Sequence, residues 1–285
     1  SGSDTEAASD SEATYDPHTS DTRNHLRSDG IIDIISNNPG CLSTATKTIL
    51  GWNSHIYALQ EVSATYWIKK KIRQTVRKAG YEAQWAHTPT RSNDGGDRLN
   101  SALTAALFAH KTIKHTDISV NDNSDIVTQL RDTSRWKEIV ISTSSGSPIF
   151  IACLYGYSGA NQDSALMKIN ENLLALASTR MYMFRKIPYF ICCDANVVLL
   201  KSETLTNIFN NPNFINLFPS VDYTFARGQI SENLPESHPK SKIDYVIANA
   251  PGASITVATR VRWDFVQIAI DSGLKLEHVP CHFSI

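Results

Sequence analysis

The chain of 285 residues has 41% hydrophobic and 19% charged residues and a formal net charge of −1, a composition suited to a globular fold with a sizeable core. No apolar run approaches the roughly 20 residues of a bilayer-spanning helix, and the N-terminus lacks the basic-then-apolar pattern of a signal peptide, so we read no membrane segment. The five cysteines (Cys41, Cys153, Cys192, Cys193, Cys281) show no CxxC spacing and lie mostly in apolar runs, which fits buried free thiols better than disulfides or a zinc site.

Residues 1–29 carry seven acids against Arg23 and Arg27, a local balance of −5 that leaves +4 on the remainder. Rich in Ser, Thr, Asp and Glu, this stretch reads as a disordered acidic leader, ahead of one domain over 30–285. Ile31-Ile32-Asp33-Ile34-Ile35 reads as a first strand, with Ser36-Asn37-Asn38-Pro39-Gly40 as the turn that ends it. His55 to Leu59 is a second strand running into Gln60-Glu61. Ser63 is placed to cap a helix to about Lys78, closed by Gly80. Its Ile68, Ile72 and Val76 form the buried stripe, and Lys69, Lys70, Lys71, Arg73, Arg77 and Lys78, which occupy the rest, read as a solvated basic face.

Strands are expected at Tyr81–His87, Ala102–Ala109, Thr112–Val120, Trp136–Thr143 and Pro148–Tyr157, with a polar loop containing Asn93-Asp94-Gly95-Gly96. A long helix over Ser164–Arg185 would bury Leu166, Ile169, Leu173, Leu174 and Ala177. Pro188 to Val198 contains a strand buried on both faces that runs into Asp194-Ala195-Asn196. Strand alternation would project Asp194 and Asn196 to one side; a plain turn would also explain them. A helix near Lys201–Phe209 follows, then strands at Asp222–Ala226, Lys242–Asn249, Ile255–Trp263 and the C-terminus. Strands in two halves with intervening helices suggest a two-layer sheet core with helices outside.

Polar groups end several of these strands: Asn37-Asn38, Gln60-Glu61, Asp194-Ala195-Asn196 and Glu277-His278. Asp244 lies within an apolar strand, where an unpaired carboxylate is unfavourable, and His278 is its natural partner. Hard oxygen ligands, a positioned histidine and amide or phenol donors are what metal-assisted attack on a phosphodiester requires.

In order, Leu59-Gln60-Glu61, Leu154-Tyr155-Gly156-Tyr157, Cys193-Asp194-Ala195-Asn196, Lys242-Ile243-Asp244-Tyr245 and Glu277-His278-Val279-Pro280 resemble the five motifs of the endonuclease/exonuclease/phosphatase family. The tone is closest to the AP-endonuclease-like domains of non-LTR retrotransposons. The resemblance implies a four-layer α/β sandwich of the DNase I type, with two packed, mostly antiparallel β-sheets flanked by helices. It implies an Mg²⁺-dependent phosphodiester hydrolase, with Mn²⁺ as a substitute, acting on DNA. Glu61, Asn38 and Glu277 would be metal ligands, with Asn37 the alternative to Asn38 by a one-residue slip. Asp194 would orient or deprotonate the attacking water, Asn196 and Tyr155 would contact the phosphate, and Asp244 and His278 would form the Asp–His pair. Fusion to a reverse transcriptase and an intracellular, nuclear setting are implied by the same resemblance. Glu277 stands where the family has Asp, Leu276 where it has Ser, and Cys193 where it has Gly. Two other readings are a phosphatase or phosphodiesterase on lipid head groups or nucleotides, and a catalytically inactive binding module.

Overall fold

The computed structural model describes residues 30–62, 66–87, 104–118, 122–144 and 146–285. The leader, the Ser63 cap and the Asn93-Asp94-Gly95-Gly96 stretch lie outside the described residues.

Two six-stranded sheets form the centre. The first comprises β1 (Asp33–Asn37), β2 (Ile56–Val62), β3 (Tyr81–Trp85), β4 (Thr104–His110), β13 (Ala258–Val261) and β14 (Cys281–Ser284), in the order β13-β14-β1-β2-β4-β3. The second comprises β5 (His115–Asp117), β6 (Trp136–Ser142), β7 (Pro148–Tyr155), β8 (Tyr189–Asp194), β9 (Phe214–Asn216) and β12 (Asp244–Asn249), in the order β5-β6-β7-β8-β12-β9. Each sheet has one parallel pair, β1 with β2 and β7 with β8, and is otherwise antiparallel. A two-stranded ribbon, β10 (Phe225–Ala226) with β11 (Lys240–Ser241), stands apart.

Strand alternation sorts the side chains into layers. Ile34, Ile56, Ala58, Leu107, Ile151, Cys153, Phe190, Cys192 and Val246 meet between the sheets. On the outer face of the first sheet pack α1 (Leu42–Leu50), α2 (Tyr66–Lys78) and α7 (Trp263–Asp271), through Ile49, Ile72, Val76 and Phe265. On the outer face of the second pack α3 (Asp125–Asp132), α4 (Ser164–Met183) and α5 (Glu203–Asn210), through Leu130, Leu173, Leu174, Ala177 and Leu205. A short α6 (Ala250–Ser254) follows β12. The four-layer sandwich of the sequence reading is the observed fold. No helix among the described residues is long and apolar enough to cross a membrane.

Several expectations change. β1 runs on through Ser36 and Asn37, so the turn starts at Asn38, and β2 continues past Leu59 to Val62. Helices α1, α3, α6 and α7 were not expected; each is short, and a few apolar residues at helical spacing are hard to tell from loop or strand. Ile169 of α4 is 48% exposed, and the buried face carries Asn170 and Arg180 instead. Arg180 is held there by the buried Glu138 (3.1 Å) and by Asp122 (2.8 Å).

Candidate active site

β1, β2 and β8 all run toward the same end of the sandwich, where β12 and the segment before β14 begin. Side chains from all five meet there. Asn38, just past β1, donates from Nδ2 to Glu61 Oε2 (2.7 Å) and to Asp194 Oδ2 (2.8 Å). His278 Nε2 lies 3.2 Å from the same nitrogen. On its other side His278 Nδ1 contacts both carboxylate oxygens of Asp244, at 2.9 and 3.1 Å.

Glu61 reaches this cluster through a bulge. Leu59 is opposite Ala106 but Val62 is opposite Thr104, so β2 holds one more residue than β4 between those pairs. Regular alternation would put Glu61 on the Leu59 side, facing the outer helices. The extra residue and a positive φ of 51° turn it instead toward Asn38. Gln60 stays between the sheets, where its Nε2 donates to Ser36 Oγ and the Cys192 carbonyl.

Asp194 ends β8 and is fully buried. Its Oδ1 accepts the backbone N–H of Asn196, whose φ is 53°. Asn196 directs its side-chain amide to the Gly156 carbonyl (3.2 Å), so the loop after β8 is tied to the loop after β7. Gly156 is required at this crossing: a Cβ would collide with the Ala195 backbone. Tyr155, opposite Asp194 in the β7–β8 register, gives its hydroxyl a 2.6 Å partner in Ser158 Oγ. Asp244 is positioned by Thr224, whose Oγ1 accepts the N–H groups of Ile243 and Asp244. The Phe225 ring packs 4.9 Å from that of His278.

Three carboxylates thus crowd one imidazole. Burial, reinforced by the charge of Asp244, pushes Asp194 up to about 7. Burial alone would lower His278, but the charge and hydrogen bond of Asp244 outweigh it and raise the imidazole to about 9. Protonated His278 keeps Nδ1–H on Asp244, and Nε2–H is left for a ligand while both Asn38 hydrogens serve Glu61 and Asp194. Burial also raises the Tyr155 phenol, and the charges of Glu61 and Asp194 add to the shift. Glu61, Asp194 and His278 each bring a ligand atom to within 4.8 Å of the others. Two hard carboxylates and a surplus of negative charge fit a small divalent cation.

No family model matches the sequence, and no curated protein matches it either. Solved structures do match, over 89% of the chain in the three cases that follow. The endonuclease domain of TRAS1, a telomere-specific non-LTR retrotransposon, superposes with a TM-score of 0.58 at 13% identity, covering 89% of this chain and 98% of its own. The human Nocturnin catalytic domain gives 0.56 at 14% identity over 89% and 92%. D. rerio TDP2, complexed with a single-strand DNA product, gives 0.57 at 11% identity over 89% and 98%. The chain has the endonuclease/exonuclease/phosphatase fold.

Within that fold, Asn38, Glu61, Asp194, Asp244 and His278 are brought into one connected cluster. Asn37 is not: it lies on the opposite face of β1, fully buried, with neither side-chain polar atom hydrogen-bonded. Asn38 turns its nitrogen to the carboxylates and its Oδ1 to the Gly40 N–H (2.9 Å), which leaves it a clamp on the acids in this arrangement. Glu277 is exposed, and its carboxylate accepts the Gly228 N–H at 2.6 Å, outside the cluster of ligand atoms. Cys193 points to the outer helix layer beside Leu154 and Tyr245, so its side chain leaves the site open.

Sequence reasoning missed Arg135. Its guanidinium stacks over Tyr157 (4.0 Å) and Tyr155 (4.8 Å) and donates to the Gly156 carbonyl (2.6 Å), gripping the loop that Asn196 also holds. Nothing in the local sequence marks it, because its partners are 20 residues or more away.

Proposed function

We propose that the protein is a divalent-cation-dependent phosphodiester hydrolase that cuts DNA, an endonuclease of the retrotransposon type. The observation that carries this reading is the single cluster in which Asn38 ties Glu61 to Asp194 while Asp244 holds His278. The similarity to the TRAS1 endonuclease and to a DNA-bound TDP2 supports the choice of DNA over lipid head groups.

Glu61 and Asp194 would hold Mg²⁺ or Mn²⁺, which supplies a Lewis acid for the charge gathering on the phosphoryl oxygens. Asp194, with a free Oδ2 lone pair beyond its bond from Asn38, accepts the proton of the attacking water. Oxygen then bonds to phosphorus in line as the opposite P–O bond breaks. His278 Nε2–H donates to a non-bridging oxygen, and Asp244 keeps the imidazolium charged and aimed. Tyr155 supplies a neutral phenol beside Asp194. Arg135 and Asn196 fix the loop carrying Gly156, and so the distance between β7 and β8.

The test is nicking of supercoiled plasmid in Mg²⁺. Asp194→Ala and His278→Ala should each abolish it in protein with an unchanged circular dichroism spectrum. Nicking at the unaltered rate in either variant refutes the proposal.

A further inference from the structure

Six cations, Lys69, Lys70, Lys71, Arg73, Arg77 and Lys78, lie on the thirteen residues of α2, which contains no acid, in a chain whose net charge is −1. Their arrangement is not that of an evenly solvated face. Trp67, the pair Lys70 and Lys71, Gln74, and the pair Arg77 and Lys78 are all exposed and recur at intervals of three or four residues, so they form one continuous stripe along the helix. Its first member is a tryptophan 71% exposed, with the Lys70 ammonium 5.4 Å from its ring. A lone surface apolar residue is ordinary. An exposed indole at the head of an uninterrupted cationic stripe, flanked by a lysine held at its face, is the pairing that accepts a nucleobase and its phosphates.

Topology gives the stripe its direction. α2 opens four residues after β2 ends, and β2 delivers Glu61 to the cluster. The Trp67 end therefore lies at the catalytic end of the sandwich. The stripe then descends the flank of the first sheet for roughly 16 Å at about 1.5 Å per residue, the reach of several backbone phosphates. Lys69 leaves the stripe and lays its ammonium 5.5 Å from the ring of Trp85, at the same end of β3.

We infer that α2 is a docking track for single-stranded nucleic acid leading away from the active site, with Trp67 stacking an unpaired base next to the bond that is cut. This rests on the hydrolase reading and extends it, because it names what the flank of the site holds, an unpaired strand beside the bond that is cut. Charge complementarity selects a polyanion, and the exposed indole selects one that offers a bare π-face.

Binding of a short fluorescein-labelled single-stranded DNA to the full chain, followed by anisotropy in EDTA, reads this without turnover. Trp67→Ala should raise Kd about tenfold, and Trp67→Phe should restore most of the affinity. Lys70→Ala with Lys71→Ala should flatten the slope of log affinity against log salt by about 0.7 per lost phosphate contact. Unchanged affinity and slope in these variants overturn the inference. So does a loss of binding to phosphatidylserine vesicles that leaves DNA binding intact, the result expected of a membrane-facing basic helix. The two proposals fail separately: binding through Trp67 with no cleavage of any phosphodiester sinks the hydrolase alone, and cleavage with native affinity in Trp67→Ala sinks the track alone.

Discussion

An Asp–His contact lies near each end of the paired strands β1 and β14, and the two have opposite electrostatics. At the start of β1, Asp33 Oδ1 contacts His282 Nε2 at 3.0 Å and accepts the Ser284 hydroxyl at 2.6 Å, while Arg260 donates to His282 Nδ1 at 3.3 Å. There the hydrogen bond from His282 draws the Asp33 carboxyl down to about 2. At the far end, Asp244 and His278 make a contact of similar length, but Glu61 and Asp194 crowd in with no arginine beside them among the described residues, and Asp194 rises to about 7. An Asp–His contact by itself therefore signals nothing catalytic. A surplus of buried acid around it does, because that surplus calls for a cation and leaves one carboxylate poised near neutrality.

Removing Asp194 should have the largest effect: Asp194→Ala should lower phosphodiester turnover about a thousandfold or more, with His278→Ala close behind, whereas Asp33→Asn should leave turnover within about twofold in the same plasmid assay. Equal losses at both ends would erase the distinction. Divalent cation is the next discriminator. Saturating Mg²⁺ at about a hundred times its Kd should add about 2.7 kcal/mol of stability, seen as a rise in thermal midpoint, and Glu61→Gln should abolish the rise while Asp33→Asn preserves it.

Acid should act on the opposite end. A carboxyl whose folded pKa is depressed stabilises the fold above its unfolded pKa and loses that contribution as pH falls through the folded value. Asp33 should thus contribute about 1 kcal/mol at neutral pH, discounted for its partly exposed setting, and nothing below pH about 2. Urea titrations of Asp33→Asn and the native chain should converge between pH 4 and 2; a gap that persists at pH 2 removes the ion from the account. The smallest expected change is at Glu277. Glu277→Ala should lower turnover less than about twofold, since its carboxylate serves the Gly228 N–H; a large loss would return it to the cation site.

The cluster was legible because its members end strands, where a polar residue breaking an apolar run stands out. Asp194, Asp244 and His278 fall where that logic puts them. The points that were harder to read have equally local causes. Asn37 and Asn38 are adjacent polar residues on opposite faces, and β1 had to be followed one residue further to choose between them. Glu277 and His278 are likewise neighbours, and only one side chain can enter the site. Glu61 is reached only through a bulge, which composition does not announce. On α4, apolar periodicity assigned Ile169 to the core, yet Asn170 took that place because it bonds the Tyr157 N–H and the Ala195 carbonyl in the loops beside the site. The sandwich itself was readable from strands in two groups, while the short helices that complete its outer layers were not.

The positive φ angles of Glu61 and Asn196 set durability against activity. A non-glycine residue held in that backbone region carries a strain of about 1 kcal/mol or more, and Glu61 sits beside a buried acid as well. Glycine at 61 or an amide at 194 would relieve those tensions and take a carboxylate out of the candidate site. A library of variants enriched only for heat resistance should therefore drift early at Glu61 and Asn196, as at Asn53 and Ser134, which share that backbone region, and the order in which those positions drift would map where the fold is under load.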